Sequence, residues 1–348
     1  MAHLESVIGK IVDLPNIDEA LRTAQDKGQA PLSIEGHTQK FILKRSHRSF
    51  QKWSAFLSEQ QSILKTKNVS LPIYVGADPA TLNVELLLVP LPRGKRIIGD
   101  QHSDRIKVNF VGSPALFFVS KSNPNWRNIV SLLQSRRQLL VAVHPFDMEI
   151  LTVQPDLDTD AYLADSYPKP RMSQEVRQIS EVSFESIQKV FQTISDFSGI
   201  PFRYVTACCT ARAHQMCRIM LTQGLKPCKV WNFGTGAARE ESTLQVQTPL
   251  VPSGYVKWLF HVAPVLKCSS DATGQSAYYV IDPSLFRQPV TVDEWCRLQQ
   301  DQFSHLRLTG PKIYYHPFQA TGKTLFDNDF RSTDRFLSAA QANLNLIS

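Results

Sequence analysis

Cys209 opens the run CysThrAlaArgAlaHisGlnMet at 209–216, and a histidine and an aspartate follow downstream on segments that read as strands. One chain can supply a thiol nucleophile, its base and the group that orients the base in that order. Ala211, Met216, Ile219, Met220 and Leu221 recur at near-helical spacing, and Gly224 offers a left-handed cap. The spacing therefore predicts a helix that begins at Cys209. Unpaired N–H groups and the positive end of the dipole favour a thiolate at such a position, and the same N–H groups can face a developing oxyanion.

Two histidines compete for the base role. His214 lies five residues on, roughly 140° around the helix axis from Cys209, so its ring should point away. His261 sits in the strand-like run 256–266, sharing a face with Leu259 and Ala263 beside a region able to exclude water. Asp282 ends the run 277–282, where Pro283 and Ser284 stop the strand, and a carboxylate there can hold the imidazole in the required tautomer. Spacing alone leaves two other readings open. A buried cysteine is commonly an inert small hydrophobe, and a histidine on an apolar strand is commonly a hydrogen-bonded core residue. Cys208, His214, Cys217 and Cys228 are also potential metal ligands, since His214 and Cys217 share a helix face, although their spacing fits no zinc signature.

The words themselves add what spacing cannot. The blocks at 200–204 (IleProPheArgTyr), 209–220 (CysThrAlaArgAlaHisGlnMetCysArgIleMet), 260–265 (PheHisValAlaProVal), 281–286 (IleAspProSerLeuPhe) and 313–316 (IleTyrTyrHis) resemble, in the same order, the bacterial protein-glutaminase family. That resemblance covers roughly residues 175 to 335. It implies a transglutaminase-like and papain-like core that deamidates glutamine side chains of proteins, with the nucleophile on Cys209, the base on His261 and the orienting carboxylate on Asp282. Two departures stand out: Cys208 replaces a small glycine before the nucleophile, and the loop at 234–242 lengthens the gap to the histidine. Cys208, Trp231, Trp258, Tyr314 and Tyr315 are expected near the substrate cleft.

Positioning such a triad needs a helix packed on an antiparallel sheet, an α+β fold. Ser183 can cap a helix whose Ile187, Val190, Phe191 and Ile194 form one apolar stripe, ended by Gly199 and Pro201. Runs at 228–233 and 243–247, with the histidine and aspartate strands, supply the expected sheet. The first half carries an internal repeat: 41–57 aligns without gaps against 117–133, each a short strand, a polar link and an amphipathic helix, then a hairpin. Two βαββ modules follow, at 1–100 and 101–156, with an Asp- and Pro-rich linker at 157–174 ahead of a catalytic domain at 175–348. The second module is also similar to the inhibitory pro-region of the secreted protein glutaminases, which implies that it covers the cleft or docks the substrate; a permanent docking or regulatory role is the expectation.

The chain has 348 residues, ample for two or three domains, and a net charge of +7 spread over both halves. Basic clusters at 44–48, 93–96 and 136–137 lack interleaved aromatics, so they read as solvated faces rather than a nucleic-acid surface; an acidic protein substrate is the more natural partner. The N-terminus shows no basic region followed by a long apolar stretch, so synthesis in the cytosol with six reduced cysteines is expected, with delivery by a dedicated secretion system open. No apolar run approaches 18 residues, which speaks against a membrane span. No cofactor is called for, as no phosphate-binding loop is present. The expected activity is a cysteine hydrolase acting through an acyl thioester. The alternative is a transglutaminase-like acyltransferase that joins a glutamine or carrier-bound acyl thioester to an amine.

Overall fold

The computed structural model describes residues 7–67, 72–78, 80–93, 96–98, 103–135, 138–156, 176, 178–269, 276–318 and 324–347. The linker expected at 157–174 lies outside the described residues.

The N-terminal half repeats itself. Its first unit runs β1 (Val7–Lys10), α1 (Ile17–Lys27), β2 (Gln29–Ser33), β3 (Lys40–Lys44), α2 (Phe50–Lys67), β4 (Tyr74–Ala77) and β5 (Val84–Leu88). The second runs β6 (Leu91–Arg93), β7 (Arg96–Ile98), β8 (Arg105–Phe110), β9 (Leu116–Ser120), α3 (Trp126–Gln134), β10 (Leu139–Val143) and β11 (Ile150–Pro155). In both, a hairpin (β2–β3, β8–β9) leads into a helix and a second hairpin (β4–β5, β10–β11). The likeness extends to turn chemistry. Ile42 N–H donates to the Leu82 carbonyl and Phe118 N–H to that of Met148, and each pair of hairpins is joined by one parallel bridge, Ile42 to Asn83 and Phe118 to Glu149. Leu82 and Met148 both adopt positive φ, 56° and 60°. Side-chain-bearing residues rarely do so, and two at equivalent positions mark one turn used twice. Strand β6 pairs with β10, Leu139 facing Arg93, so by pairing it joins the second unit, ahead of the boundary expected near residue 100.

The units differ in what they pack against. The second keeps its own core: Ile106, Val108, Phe110, Phe117, Val119, Ile129, Leu133, Val141 and Ile150 cluster with no residue from outside the unit. The first unit's core, around Trp53, Leu57, Leu32 and Phe41, continues into Tyr204, Ala207 and Cys208 and into Ala339, Ala340 and Leu346 of the C-terminal helix. Trp53 Nε1 donates to the Leu346 carbonyl at 3.2 Å, and Asn343 grips both the N–H and the carbonyl of Val89. Of the basic cluster at 93–96, Arg93 is buried rather than solvated: its guanidinium lies over the rings of Phe117, Phe110 and Phe336 at 4.9, 5.6 and 5.7 Å.

The remainder comprises β12 (Glu181–Val182), α4 (Phe184–Ser195), α5 (Cys209–Thr222), β13 (Cys228–Phe233), β14 (Leu244–Gln247), β15 (Tyr255–Trp258), β16 (Phe260–Cys268), β17 (Ala277–Val280), β18 (Val290–Thr291), α6 (Val292–Leu298), β19 (His305–Thr309), β20 (Ile313–Tyr315), β21 (Leu325–Phe326) and α7 (Arg331–Ile347). The main sheet has the order β18-β17-β16-β13-β19, antiparallel throughout, with β12 added in parallel on β16. Helices α4 and α5 cover one face through Ile187, Phe191, Ala213 and Met216 against Trp231, Phe233, Val262 and Leu266. Helix α6 covers the other, where Trp295 meets Val230, Ala263 and Val265. This is the α+β helix-on-sheet arrangement expected. The run at 243–247 does not join the main sheet as expected; it pairs with β15 in a separate ribbon, and β19 takes the edge beside β13.

Candidate active site

Helix α5 begins at Cys209, as the spacing predicts, and stops at Thr222 before Gly224, whose φ of 77° is the left-handed cap. The residue before the helix, Cys208, is itself left-handed at φ 72°. Arg212, one turn into the helix, donates from Nη1 to the carbonyls of Tyr204 (2.5 Å) and Ala207 (2.9 Å), so the helix holds its own approach segment in place. The two adjacent thiols part company. Cys208 joins the first unit's core with its sulfur 3.9 Å from the Phe336 carbonyl, whereas Cys209 joins the core between α5 and the sheet. Cys208 is therefore a packing residue, not part of a cleft.

Cys209 is only 2 % exposed, and the Val262 N–H donates to its sulfur, which places it at the edge of β16 one residue beyond His261. Burial pushes its thiol up to about 12, against the pull of Arg212 and the Val262 N–H. Burial in this closed arrangement thus works against the helix-stabilised thiolate that the sequence leads one to expect.

His261 and Asp282 meet. His261 Nε2 and Asp282 Oδ2 are 2.8 Å apart, both residues almost wholly buried. The imidazole is stacked between Trp258 (centroids 4.7 Å, 12°) and Trp295 (5.4 Å, 27°). Asp282 also accepts from Trp295 Nε1 at 2.9 Å and from the Ser284 hydroxyl. Burial pushes the Asp282 carboxyl up, but His261, Ser284 and Trp295 together hold it down at about 2. An ionised Asp282 makes Nε2 the protonated nitrogen of the neutral ring and leaves Nδ1 as the acceptor. Nδ1 has no partner. The strand expected over 256–266 is broken at Leu259, which turns into the core shared with Cys209 instead of sharing a face with His261 and Ala263.

His214 points away, as helix geometry requires. Its Nδ1 is 2.7 Å from Lys229 Nζ and its Nε2 3.0 Å from the Asp327 carbonyl. Burial and the Lys229 charge push its pKa down to about 2, and burial lowers Lys229 to about 8. No group of metal-binding side chains forms among the described residues, and the quartet of Cys208, His214, Cys217 and Cys228 is not assembled. Of the expected cleft aromatics, Trp258 touches the site by stacking on His261. Trp231 is core on the helix side of the sheet, its Nε1 donating to Thr309 Oγ1, with Tyr315 beside it. Tyr314 packs with Ala211 and Leu337 behind the nucleophile helix. Sequence reasoning missed Trp295 and Asn232, whose partners Asp282 and Gln299 lie 13 and 67 residues away, and Arg212, whose partners Tyr204 and Ala207 are near in the chain but sit in a loop with no periodic signal. Within the matched block only the ArgAlaHis word could have flagged Arg212.

A loop of the second unit closes over this region. Between β8 and β9, the Gly112 carbonyl accepts from Thr210 Oγ1 at 3.3 Å, next to Cys209, and the Pro114 carbonyl accepts from the Leu259 N–H at 2.8 Å. Ser113, Pro114 and Ala115 are buried, and Leu116 packs on the core that contains Cys209. The second unit thus sets one backbone carbonyl on the residue after Cys209 and another on Leu259, two residues before His261.

Residues 187–299 match a protein family described as glutaminase, which supports the resemblance to the protein glutaminases over that segment. Solved structures are also similar. The A47Q2 mutant of pro-protein-glutaminase has 22% identity, covering 74% of this chain and 92% of that one, at a TM-score of 0.49. Protein-glutaminase from Chryseobacterium proteolyticum, solved by NMR, has 25% identity over 45% of this chain and 86% of its own, at a TM-score of 0.38. No curated protein matches the chain.

Proposed function

We propose that this chain deamidates glutamine side chains of proteins through a Cys209–His261–Asp282 triad, and that its second N-terminal unit holds the site closed. The observation that carries the reading is the buried His261–Asp282 pair, with the remaining imidazole nitrogen unpaired among the described residues, together with a helix-start cysteine whose sulfur accepts from the N–H of Val262, the residue after His261.

In this reading Cys209 attacks the carboxamide carbon while His261 Nδ1 takes the thiol proton. First-turn N–H groups of α5 face the oxyanion. His261 returns the proton to the departing nitrogen, ammonia leaves, and an acyl thioester on Cys209 remains. Water then attacks with His261 as base, giving glutamate and the free thiol. Because burial keeps the resting thiol protonated, proton transfer to His261 accompanies attack rather than preceding it. Asp282 stays ionised throughout and fixes the tautomer. A second reading, acyl transfer to an amine, is favoured by the dryness of the triad, since a site that excludes water gives a bound amine the advantage.

The test is ammonia release and amide-to-acid conversion by intact mass on a glutamine-rich acidic protein, with and without a primary amine. Wild type, Cys209→Ala and Asp156→Ala are compared, the last loosening the second unit. Ammonia that vanishes in Cys209→Ala and rises in Asp156→Ala is expected. Amine incorporation in place of acid would move the reading to acyl transfer, and activity surviving in Cys209→Ala would sink the triad.

A further inference from the structure

Asn232 stands directly opposite His261 in the antiparallel pairing of β13 with β16, so the two side chains leave the sheet on the same face. Facing residues of this kind have Cβ atoms about 5 Å apart. Their neighbours on that face, Val230, Ala263 and Val265, are apolar, and Asn232 is fully buried among them. Its Nδ2 donates to Gln299 Oε1 at 3.2 Å, and Gln299 Nε2 donates to the Trp295 carbonyl at 2.9 Å. This chain fixes which way both amides point. The Trp295 carbonyl only accepts, so Gln299 must present its NH2 there and its oxygen to Asn232, which answers with its own NH2.

Asn232 Oδ1 is left without a partner, and so is His261 Nδ1. A buried acceptor left without a donor is costly, because its lost hydration is not replaced. A free acceptor on Asn232, facing the residue proposed as base, suits a leaving nitrogen that carries hydrogen as well as the lone pair the base must protonate. The substrate of the proposed reaction carries such a nitrogen.

We propose that Asn232 reads the leaving group: its Oδ1 accepts one hydrogen of the substrate carboxamide NH2 and so turns the nitrogen lone pair toward His261. The inference rests on the deamidase reading. When the tetrahedral adduct collapses, the carbon–nitrogen bond breaks and its electron pair stays on nitrogen. That nitrogen takes from His261 Nδ1 the proton removed from the Cys209 thiol, so ammonia departs as the thioester forms. A substrate with no N–H on its leaving group gains nothing from Asn232. The residue is thereby a specificity element for primary carboxamides over esters.

The experiment uses the full chain carrying Asp156→Ala, so that the second unit is loosened, and two matched peptides, one with glutamine and one with the γ-methyl ester of glutamate, and compares kcat/KM for this parent (the wild type at position 232), Asn232→Val and Asn232→Ser. Loss of one hydrogen bond to the leaving group should lower amide turnover about tenfold to a hundredfold. Ester turnover should fall far less, so the amide-to-ester ratio drops at least about tenfold. That ratio does not depend on the fraction of folded enzyme, which keeps the test valid if a variant is less stable. Equal losses on both peptides would make Asn232 a structural residue and overturn the inference alone. Ester hydrolysis by a parent that releases no ammonia would overturn both the inference and the deamidase reading, and silence on both peptides would remove the reading on which it rests.

Discussion

The two N-terminal units share strand order, bridge positions and even the left-handed turn residue, yet they stand in opposite relations to the rest of the chain. The first is fused: Trp53, Val89 and the core around them continue without a break into α7 and the segment that leads to Cys209. The second is self-contained. It meets the catalytic part through the loop at 112–116, through Arg93 among three phenylalanine rings, and through a bidentate pair of Arg335 with buried Asp156 at 2.7 and 2.8 Å. Among the described residues the guanidinium of Arg93 has Nε and Nη2 unpaired and no carboxylate partner, and a buried cation so placed lowers the cost of opening. What separates them is how far apolar surface is shared: the first unit's core runs on into α7, whereas the second keeps its own core and adds Leu116 and a small cluster of Ala142 and Leu151 with Tyr74 and Leu88 to its polar contacts.

The largest expected effect is on the fused unit. Trp53→Ala should cost about 3–5 kcal/mol and shift one cooperative urea transition that includes the catalytic sheet. Two separated transitions, with the sheet unfolding at its original midpoint, would break the comparison. Ile129→Ala, in the second unit, should cost about 2–4 kcal/mol locally, read as faster amide exchange confined to 105–155. Spread of that exchange into α5 would mean that the second unit is as integral as the first. Asp156→Ala should cost about 2 kcal/mol, below the range for fully buried pairs because Arg335 keeps solvent contact. It should also raise alkylation of Cys209 by iodoacetamide at neutral pH, as exposure relieves the burial that holds the thiol near 12. An unchanged alkylation rate would remove the second unit as the cover.

The smallest effect near neutral pH is the acid response of the fused body. His214 is held at about 2 in the folded protein against an ordinary 6.5, so the unfolded chain binds the extra proton first. The stability it contributes is complete above 6.5 and is lost as pH falls below that value toward 2. Melting temperatures of wild type and His214→Gln should converge on acidification, and parallel curves would deny the residue this role.

How much could be read in advance follows from which interactions are local. The start of α5 at Cys209, its end at Gly224, the Ser183 cap, and the helix stripe of Ile187, Val190, Phe191 and Ile194 are all present, because period and capping are properties of a few neighbouring residues. His261 stands out by its place inside an apolar strand-like run, Asp282 by its place at a strand end, and both by family resemblance, and the structure brings those two together. The strand at 244–247 was misassigned because its alternation says only that it pairs, not with which strand. Leu259 was put on the wrong face because the break beside it depends on the Pro114 carbonyl, far away in the chain. Arg93 read as a surface charge because nothing near it in sequence foretells the three phenylalanine rings that enclose it.

The sequence by itself determined the element types, the duplicated units and the residue kinds of the triad, since side-chain periodicity and backbone preference act over a turn or a strand. Only the tertiary structure decided that the thiol is buried, that Asn232 faces His261, and that the first unit's core is continuous with the C-terminal part while the second keeps a core of its own. Those outcomes depend on desolvation and on pairing between distant segments, and such energies exist only once the chain has closed on itself.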